Sequence, residues 1–112
     1  PLLWKEYQEI KAQLSKVTVM WNKIYPDEIV PYLFCGSLRS AQSLAVYDRL
    51  NINYLLTVGR GLEPTVIPGM IHKTVIVDDI EGAIIDHSFS EAVEFIDEAM
   101  RSGSGCLVHC FA

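Results

Sequence analysis

Apolar residues recur at helical spacing in two long stretches of the chain. The first covers residues 3–24 and predicts a helix. Its packed face is expected to include Trp4, Met20 and Trp21. The second stretch starts at Asp86 or Ser88 and ends at Gly103, a residue type that commonly terminates helices. The apolar face of this second helix consists of Phe89, Ala92, Val93, Ile96, Ala99 and Met100.

Short apolar segments alternate with the helical patterns and are typical of buried strands. They predict strands at residues 32–35, 53–58, 73–77 and 106–108. Ser40 is expected to cap a further helix, whose inner side holds Leu44, Tyr47 and Leu50. Strands that alternate with helices, and that are apolar on both faces, indicate an α/β fold. We therefore expect a central, mainly parallel sheet of four to five strands with helices on both faces.

Composition and charge narrow the class of protein. The 112 residues fit one small domain, and half of them are apolar, as in globular proteins. A formal net charge of -5 argues against a general nucleic-acid binder, and no apolar run approaches the ~18 residues that span a bilayer. The three cysteines include no pair at metal-ligand or redox-motif spacing. We expect a cytoplasmic protein without a metal or another cofactor, and with neither nucleic acid nor membrane as a partner.

Two of the predicted strands end in residues that can carry chemistry. Asp78 and Asp79 follow one strand, and His109 and Cys110 follow another. Ligands of parallel sheets bind beyond the carboxyl ends of the strands, so these residues are expected at one edge. A thiolate attacks phosphorus readily, backbone amides can hold phosphate oxygens, and a carboxylic acid can protonate the leaving group. A cysteine at a strand end, taken alone, is more often a buried apolar residue.

The ordered motifs of residues 26–112 resemble those of dual-specificity protein phosphatases. Residues 107–112 (LVHCFA) resemble the opening of the family's HCxxxxxR phosphate loop. Residues 33–38 (LFCGSL) are similar to the segment around its Tyr-Leu-Gly-Ser strand. Residues 77–79 (VDD), followed by 94–99 (EFIDEA), resemble the general-acid loop and the helix after it.

The resemblance implies roles for five residues. Cys110 would be the nucleophile that forms a phosphocysteine intermediate, and Asp79 would be the general acid. His109 would lie behind the phosphate loop, bond to its backbone and help to hold Cys110 as a thiolate. Phe111 and Ala112 would supply the first phosphate-binding amides.

The function that the resemblance implies is that of a metal-independent enzyme. It would hydrolyse phosphotyrosine, and also phosphoserine or phosphothreonine, in phosphorylated protein substrates. Residues 26–112 would form the catalytic domain, incomplete at its C-terminal end, and residues 1–25 a helical segment of unassigned role. The motif arginine and the C-terminal helices would follow Ala112. The 112-residue chain alone is therefore expected to be inactive, to expose a sheet face built by Leu55, Val75 and Leu107, and to be completed by a second fragment.

Two functions of other classes stay open from the sequence. A catalytically inactive pseudophosphatase would only bind phosphorylated or other protein partners, and a downstream arginine would distinguish it from an enzyme. A rhodanese-like sulfur carrier also has a cysteine after a central strand, although His109 and Asp79 argue against it.

Other conspicuous residues have structural explanations. Cys35 and Cys106 lie within apolar strands and are expected in the core. Asp86 is expected to cap a helix. Asp78 is expected to be a solvated loop carboxylate, with a role shared with Asp79 as the alternative. His72 and His87 lack partners at ligand spacing and are expected at the surface.

Overall fold

The computed structural model describes residues 4–6, 8–10, 24–76 and 87–110. Residues 4–6 and 8–10 are helical, as expected from the first apolar pattern. The elements that follow are β1 (Asp27–Val30), β2 (Leu33–Gly36), a 3-10 turn (Ser40–Gln42), α1 (Leu44–Leu50), β3 (Ile52–Val58), β4 (Ile71–Val75), α2 (His87–Ser102) and β5 (Gly105–His109).

The five strands form one sheet in the order β1-β2-β5-β3-β4. β5 lies at its centre and runs parallel to both neighbours, and β3 and β4 are also parallel. β1 pairs with β2 in the antiparallel direction. The prediction of an α/β fold with a mainly parallel sheet is confirmed, and the site-bearing strand occupies the most protected position.

Each face of the sheet carries its own buried cluster, because successive side chains of a strand point to opposite faces. α2 covers one face with Phe95, Ile96 and Ala99, and the helical residue Ile10 joins this cluster. α1 covers the other face with Val46 and Tyr47. Helices on both faces are therefore confirmed.

The expectation that Leu55, Val75 and Leu107 build one exposed face is wrong. Leu55 and Leu107 belong to the cluster under α1, whereas Val75 belongs to the cluster under α2. All three are at most 3% exposed. In this part of the chain, α1 and α2 cover both sides of the sheet.

α1 begins differently from the prediction. Ser40 belongs to the 3-10 turn, and its hydroxyl donates to the carbonyl of Ile24. The cap of α1 is Ser43, whose Oγ accepts the Val46 N–H at 3.2 Å. Leu44 is 60% exposed and does not face inward as predicted. The cap is therefore the serine that directly precedes the α-helix, three residues after the one predicted.

α2 matches its predicted pattern with one addition. Ile96 and Ala99 are buried, and Ala92 and Met100 pack partly against them. Phe95, which the helical spacing missed, is also buried, and its ring meets Tyr54 edge-on with centroids 5.6 Å apart. The side chain of Phe89 and the residue Asp86 lie outside the described residues.

The two edge strands depart most from the predictions. β1 was not predicted as a strand, and β4 lies at Ile71–Val75, two residues earlier than residues 73–77. Trp4, expected on a packed face, is 67% exposed. Met20 and Trp21 lie outside the described residues.

Gly105 opens β5 where there is no room for a side chain. A Cβ built there would lie 2.6 Å from the Leu50 carbonyl oxygen and 2.9 Å from that of Asn51. We expect Gly105→Ala to destabilise the fold by about 1–3 kcal/mol, because the backbone must shift to relieve the overlap. Ser104→Ala, one residue away and outside the strand, causes no such overlap; it removes only the 3.3 Å hydrogen bond from Asn53 and should cost about 0.5–1 kcal/mol. Urea unfolding of both variants measures the difference, and equal stabilities would contradict the steric explanation.

Candidate active site

Cys110 is the first residue after the carboxyl end of the central strand β5. All five residues of β5 are buried, and Cys110 itself is 1% exposed. Cys106, Val108 and Cys110 belong to the cluster on the α2 side, whereas Leu107 belongs to the cluster on the α1 side. The intervening residue His109 alternates with Cys110 and points to the α1 side. The side chains of His109 and Cys110, which are adjacent in the motif, therefore lie on opposite faces of the sheet.

The imidazole of His109 is fully buried, and each ring nitrogen has a hydrogen-bonding partner among the described residues. Its Nε2 lies 2.8 Å from Thr57 Oγ1, and its Nδ1 lies 3.2 Å from the backbone carbonyl oxygen of Cys110. Thr57 Oγ1 also lies 2.8 Å from Nε2 of His72 on β4. The histidine thus connects the backbone of Cys110 to two side chains of neighbouring strands.

Burial keeps the His109 ring neutral. It lowers the pKa of His109 from 6.5 to about 4; the hydrogen bond to the Cys110 carbonyl opposes this shift, and the charge of His72 adds to it. Burial also lowers the pKa of His72. At neutral pH, His109 is therefore a neutral ring that can donate from one nitrogen and accept at the other.

The other two cysteines belong to the core, as predicted. Cys35 is 2% exposed, Cys106 is 0% exposed, and both are free thiols. Burial raises the pKa of Cys106 to about 12 and raises that of Cys35 still further, with nearby Cys110 as a smaller contribution. Both thiols stay protonated at neutral pH, so neither is a nucleophile there.

The structure brings together only part of the predicted site. Asp79, Phe111 and Ala112 lie outside the described residues, as do Asp78 and the side chain of His87. Thr57 was missed by the sequence analysis, because it lies within an apolar strand. His72 is exposed, as predicted, and its hydrogen bond with Thr57 was missed by the sequence analysis.

Two features are absent from residues 4–6, 8–10, 24–76 and 87–110, the part of the chain that the structure describes. Within those ranges, no group of three or more His, Cys, Asp or Glu side chains is placed to hold a metal ion. None of the helices that the structure describes has the length and apolar character needed to cross a membrane.

The buried neutral His109 makes stability depend on pH. The unfolded chain binds a proton at this residue below about pH 6.5, whereas the folded chain does so only below about pH 4. Stability should therefore be greatest above pH 6.5 and fall as the pH drops to 4, by about 3 kcal/mol over that window. The His109→Asn variant has no titratable group at this position but keeps a side-chain donor. Its free energy of unfolding should therefore fall by about 3 kcal/mol less over the same pH range.

Urea unfolding at a series of pH values, with the wild type compared against His109→Asn, measures this effect. Groups that do not interact with His109 contribute equally to both proteins, so their contributions cancel in the difference. Equal pH dependence of the two proteins would show that His109 is not held neutral by burial.

Comparison with known proteins identifies the family. No protein-family model matches the chain. Dual specificity protein phosphatase 1 of Arabidopsis thaliana is 33% identical over 118 residues, covering 99% of this chain and 60% of that protein. Human dual specificity protein phosphatase 5 is 36% identical over 121 residues, covering all of this chain and 32% of that protein. These matches give no support to the rhodanese-like alternative.

Solved structures agree with the sequence matches. Human DUSP28 superposes with a TM-score of 0.66 at 26% identity, over 78% of this chain and 62% of that structure. A human tyrosine phosphatase-like serine/threonine/tyrosine-interacting protein superposes with a TM-score of 0.68 at 25% identity, over 80% of this chain and 64% of that structure. By sequence and by fold, the chain belongs to the dual-specificity protein phosphatase family. It spans 60% of the length of the Arabidopsis relative and smaller shares of others, down to 22%.

Proposed function

We propose that the protein containing this chain is a cysteine-dependent protein phosphatase. It hydrolyses phosphotyrosine, and also phosphoserine or phosphothreonine, in phosphorylated protein substrates. The observation that carries this proposal is the position of Cys110 directly after the central strand, with a buried neutral His109 bonded to its carbonyl. The family of the chain supports the same activity.

The proposed reaction has two steps. The Cys110 thiolate attacks phosphorus, an S–P bond forms, and the bond from phosphorus to the substrate oxygen breaks while Asp79 protonates that oxygen. The Asp79 carboxylate then takes a proton from water, whose oxygen attacks phosphorus. The S–P bond breaks, phosphate leaves, and the thiolate is restored. The backbone amides of Phe111 and Ala112 are proposed to hold phosphate oxygens during both steps.

The chemistry of this mechanism needs no metal or cofactor, since the thiolate, the acid and the amides supply nucleophile, proton and charge stabilisation. It does need a reduced thiol. None of the cysteines Cys35, Cys106 and Cys110, which all lie among the described residues, forms a disulfide. Reduced cysteines fit a reducing compartment, and we propose the cytoplasm.

Hydrolysis by the full-length protein tests the proposal. The purified protein, in reductant and an excess of metal chelator, should release phosphate from an aryl phosphate and from phosphotyrosine peptides. Comparison with phosphoserine and phosphothreonine peptides measures the dual specificity. A folded, reduced protein that releases no phosphate from any of these substrates would contradict the proposal.

A second candidate is a pseudophosphatase that binds phosphorylated partners without hydrolysing them. This candidate is favoured by the similarity to the human tyrosine phosphatase-like serine/threonine/tyrosine-interacting protein. It predicts saturable binding of a phosphotyrosine peptide by the reduced wild-type protein, with no phosphate released. The same assay thus separates the two candidates.

A further inference from the structure

Three polar side chains form a continuous line across three neighbouring strands. His109 on β5 pairs in register with Thr57 on β3, and Thr57 pairs with Thr74 on β4. His72 lies two residues before Thr74 and so shares its face of the sheet. The two links, His109 Nε2 to Thr57 Oγ1 and Thr57 Oγ1 to His72 Nε2, both measure 2.8 Å. The line runs from a fully buried ring to an exposed one.

The chemistry of the partners fixes the direction in which hydrogen bonds are donated. The Cys110 carbonyl oxygen can only accept, so the proton of the neutral His109 ring must lie on Nδ1. His109 Nε2 is then an acceptor, and the Thr57 hydroxyl must donate to it. The Thr57 oxygen in turn accepts the Nε2–H of His72. All the bonds point the same way, from the sheet edge to the Cys110 backbone.

We propose that Thr57 and His72 are positioning residues, which anchor the Nε2 side of the His109 ring so that its Nδ1–H stays directed at the Cys110 carbonyl. Their importance for catalysis rests on the function proposed for Cys110. A hydrogen bond accepted at Nε2 makes the Nδ1–H a better donor, because successive hydrogen bonds polarise one another. A peptide unit is planar, so fixing the carbonyl also fixes the direction of the N–H that follows it. That N–H is the first of the amides proposed to hold phosphate.

Thr57 is the residue that can be tested most cleanly. It is 1% exposed, and valine has nearly its shape but no hydroxyl. Thr57→Val therefore removes both links, whereas Thr57→Ser keeps the hydroxyl and should restore them. Thr74→Val makes the same chemical change on β4. It is the matched control, since among the described residues the Thr74 hydroxyl reaches only His72, at 3.5 Å.

The first readout is the protonation state of the ring in the full-length protein labelled with ¹⁵N-histidine. Nuclear magnetic resonance of the wild type should show His109 as the Nδ1–H tautomer, with a slowly exchanging proton. In Thr57→Val that proton should exchange faster, and the ¹⁵N resonance of the unprotonated Nε2 should move downfield because Nε2 no longer accepts a hydrogen bond; Thr57→Ser and Thr74→Val should keep the wild-type spectrum. An Nε2–H tautomer in the wild type, or an unchanged spectrum in Thr57→Val, would overturn the proposal.

The second readout is the split between kcat and KM for an aryl phosphate. Thr57→Val should lower kcat roughly two- to tenfold, the range that the loss of one net hydrogen bond corresponds to, while KM changes less than about twofold. His72→Leu should also lower kcat. In His72→Gln, the side-chain amide N–H can occupy the position of the His72 Nε2–H and donate to Thr57, so kcat should stay close to the wild-type value. Unchanged kcat in both Thr57→Val and His72→Leu would overturn the positioning role.

The two readouts separate this inference from the proposed function. The resonance measurement does not require Cys110 to react, so it stands or fails without any turnover. If the protein hydrolyses no phosphate but shows the expected spectra, the hydrogen-bonded line is correct and the function proposed for Cys110 is wrong. If it hydrolyses phosphate and Thr57→Val matches the wild type in both readouts, the positioning role is wrong.

Discussion

The full-length protein with Cys110→Ser is expected to have no measurable turnover of an aryl phosphate. A serine hydroxyl is barely ionised near neutral pH, whereas a loop of amides can lower the pKa of a cysteine to between ~3.5 and 7.5. The phosphate-binding amides remain in the variant, so it should still bind a phosphotyrosine peptide. Initial rates measure the first expectation, and fluorescence anisotropy of a labelled phosphopeptide measures the second.

Cys35→Ala provides the control for this substitution. Cys35 is a buried thiol close to Cys110, and burial keeps it protonated. Removing its sulfur should cost some stability but leave kcat of the folded protein within about twofold, because the residue has no part in the two chemical steps. Wild-type activity in Cys110→Ser, or abolished activity in folded Cys35→Ala, would remove Cys110 from the role of nucleophile.

Asp79→Asn is expected to slow turnover by about 100- to 10,000-fold, the usual range for general acid catalysis. An amide cannot protonate the leaving oxygen or later accept a proton from water. The loss should shrink for substrates with good leaving groups, since these need less protonation. A series of aryl phosphates with different leaving groups measures both the size of the effect and this trend.

Asp78→Asn is the matched control, because it makes the same change one residue away. It should lower kcat only slightly. The opposite ranking of the two variants would mean that the position assigned to the acid is one residue out of register. Equal, small effects from both would mean that neither carboxylate protonates the leaving group.

The sequence predicted the centre of the fold better than its edges. β3 and β5 are nearly continuous apolar runs, as strands buried on both faces require, and both were found. β1 and β4 lie at the edges, where half-exposed positions admit polar residues such as Asp27 and His72. The apolar pattern that would predict β1 and β4 as strands is therefore weak. The start of α1 was misjudged for a local reason, since Ser40 and Ser43 are both good caps and only the geometry of the preceding turn selects one.

For the candidate site, the sequence predicted residues joined by a local motif and missed those joined by the sheet. His109 and Cys110 are adjacent, so a motif includes both. Thr57 lies 52 residues before His109, and His72 lies 15 residues after Thr57. Only the strand order, with β3 between β5 and β4, brings them into contact. The roles of Asp79, Phe111 and Ala112 stay predictions that rest on the family resemblance.

Direct detection of the phosphocysteine intermediate tests the central claim most closely. The full-length protein would be mixed with a ³²P-labelled phosphotyrosine peptide, quenched within milliseconds and digested, and the labelled peptide sequenced by mass spectrometry. We expect phosphate on the sulfur of Cys110 in the wild type, and none in Cys110→Ser. Turnover without label on Cys110, or label on another residue, would contradict the proposed mechanism.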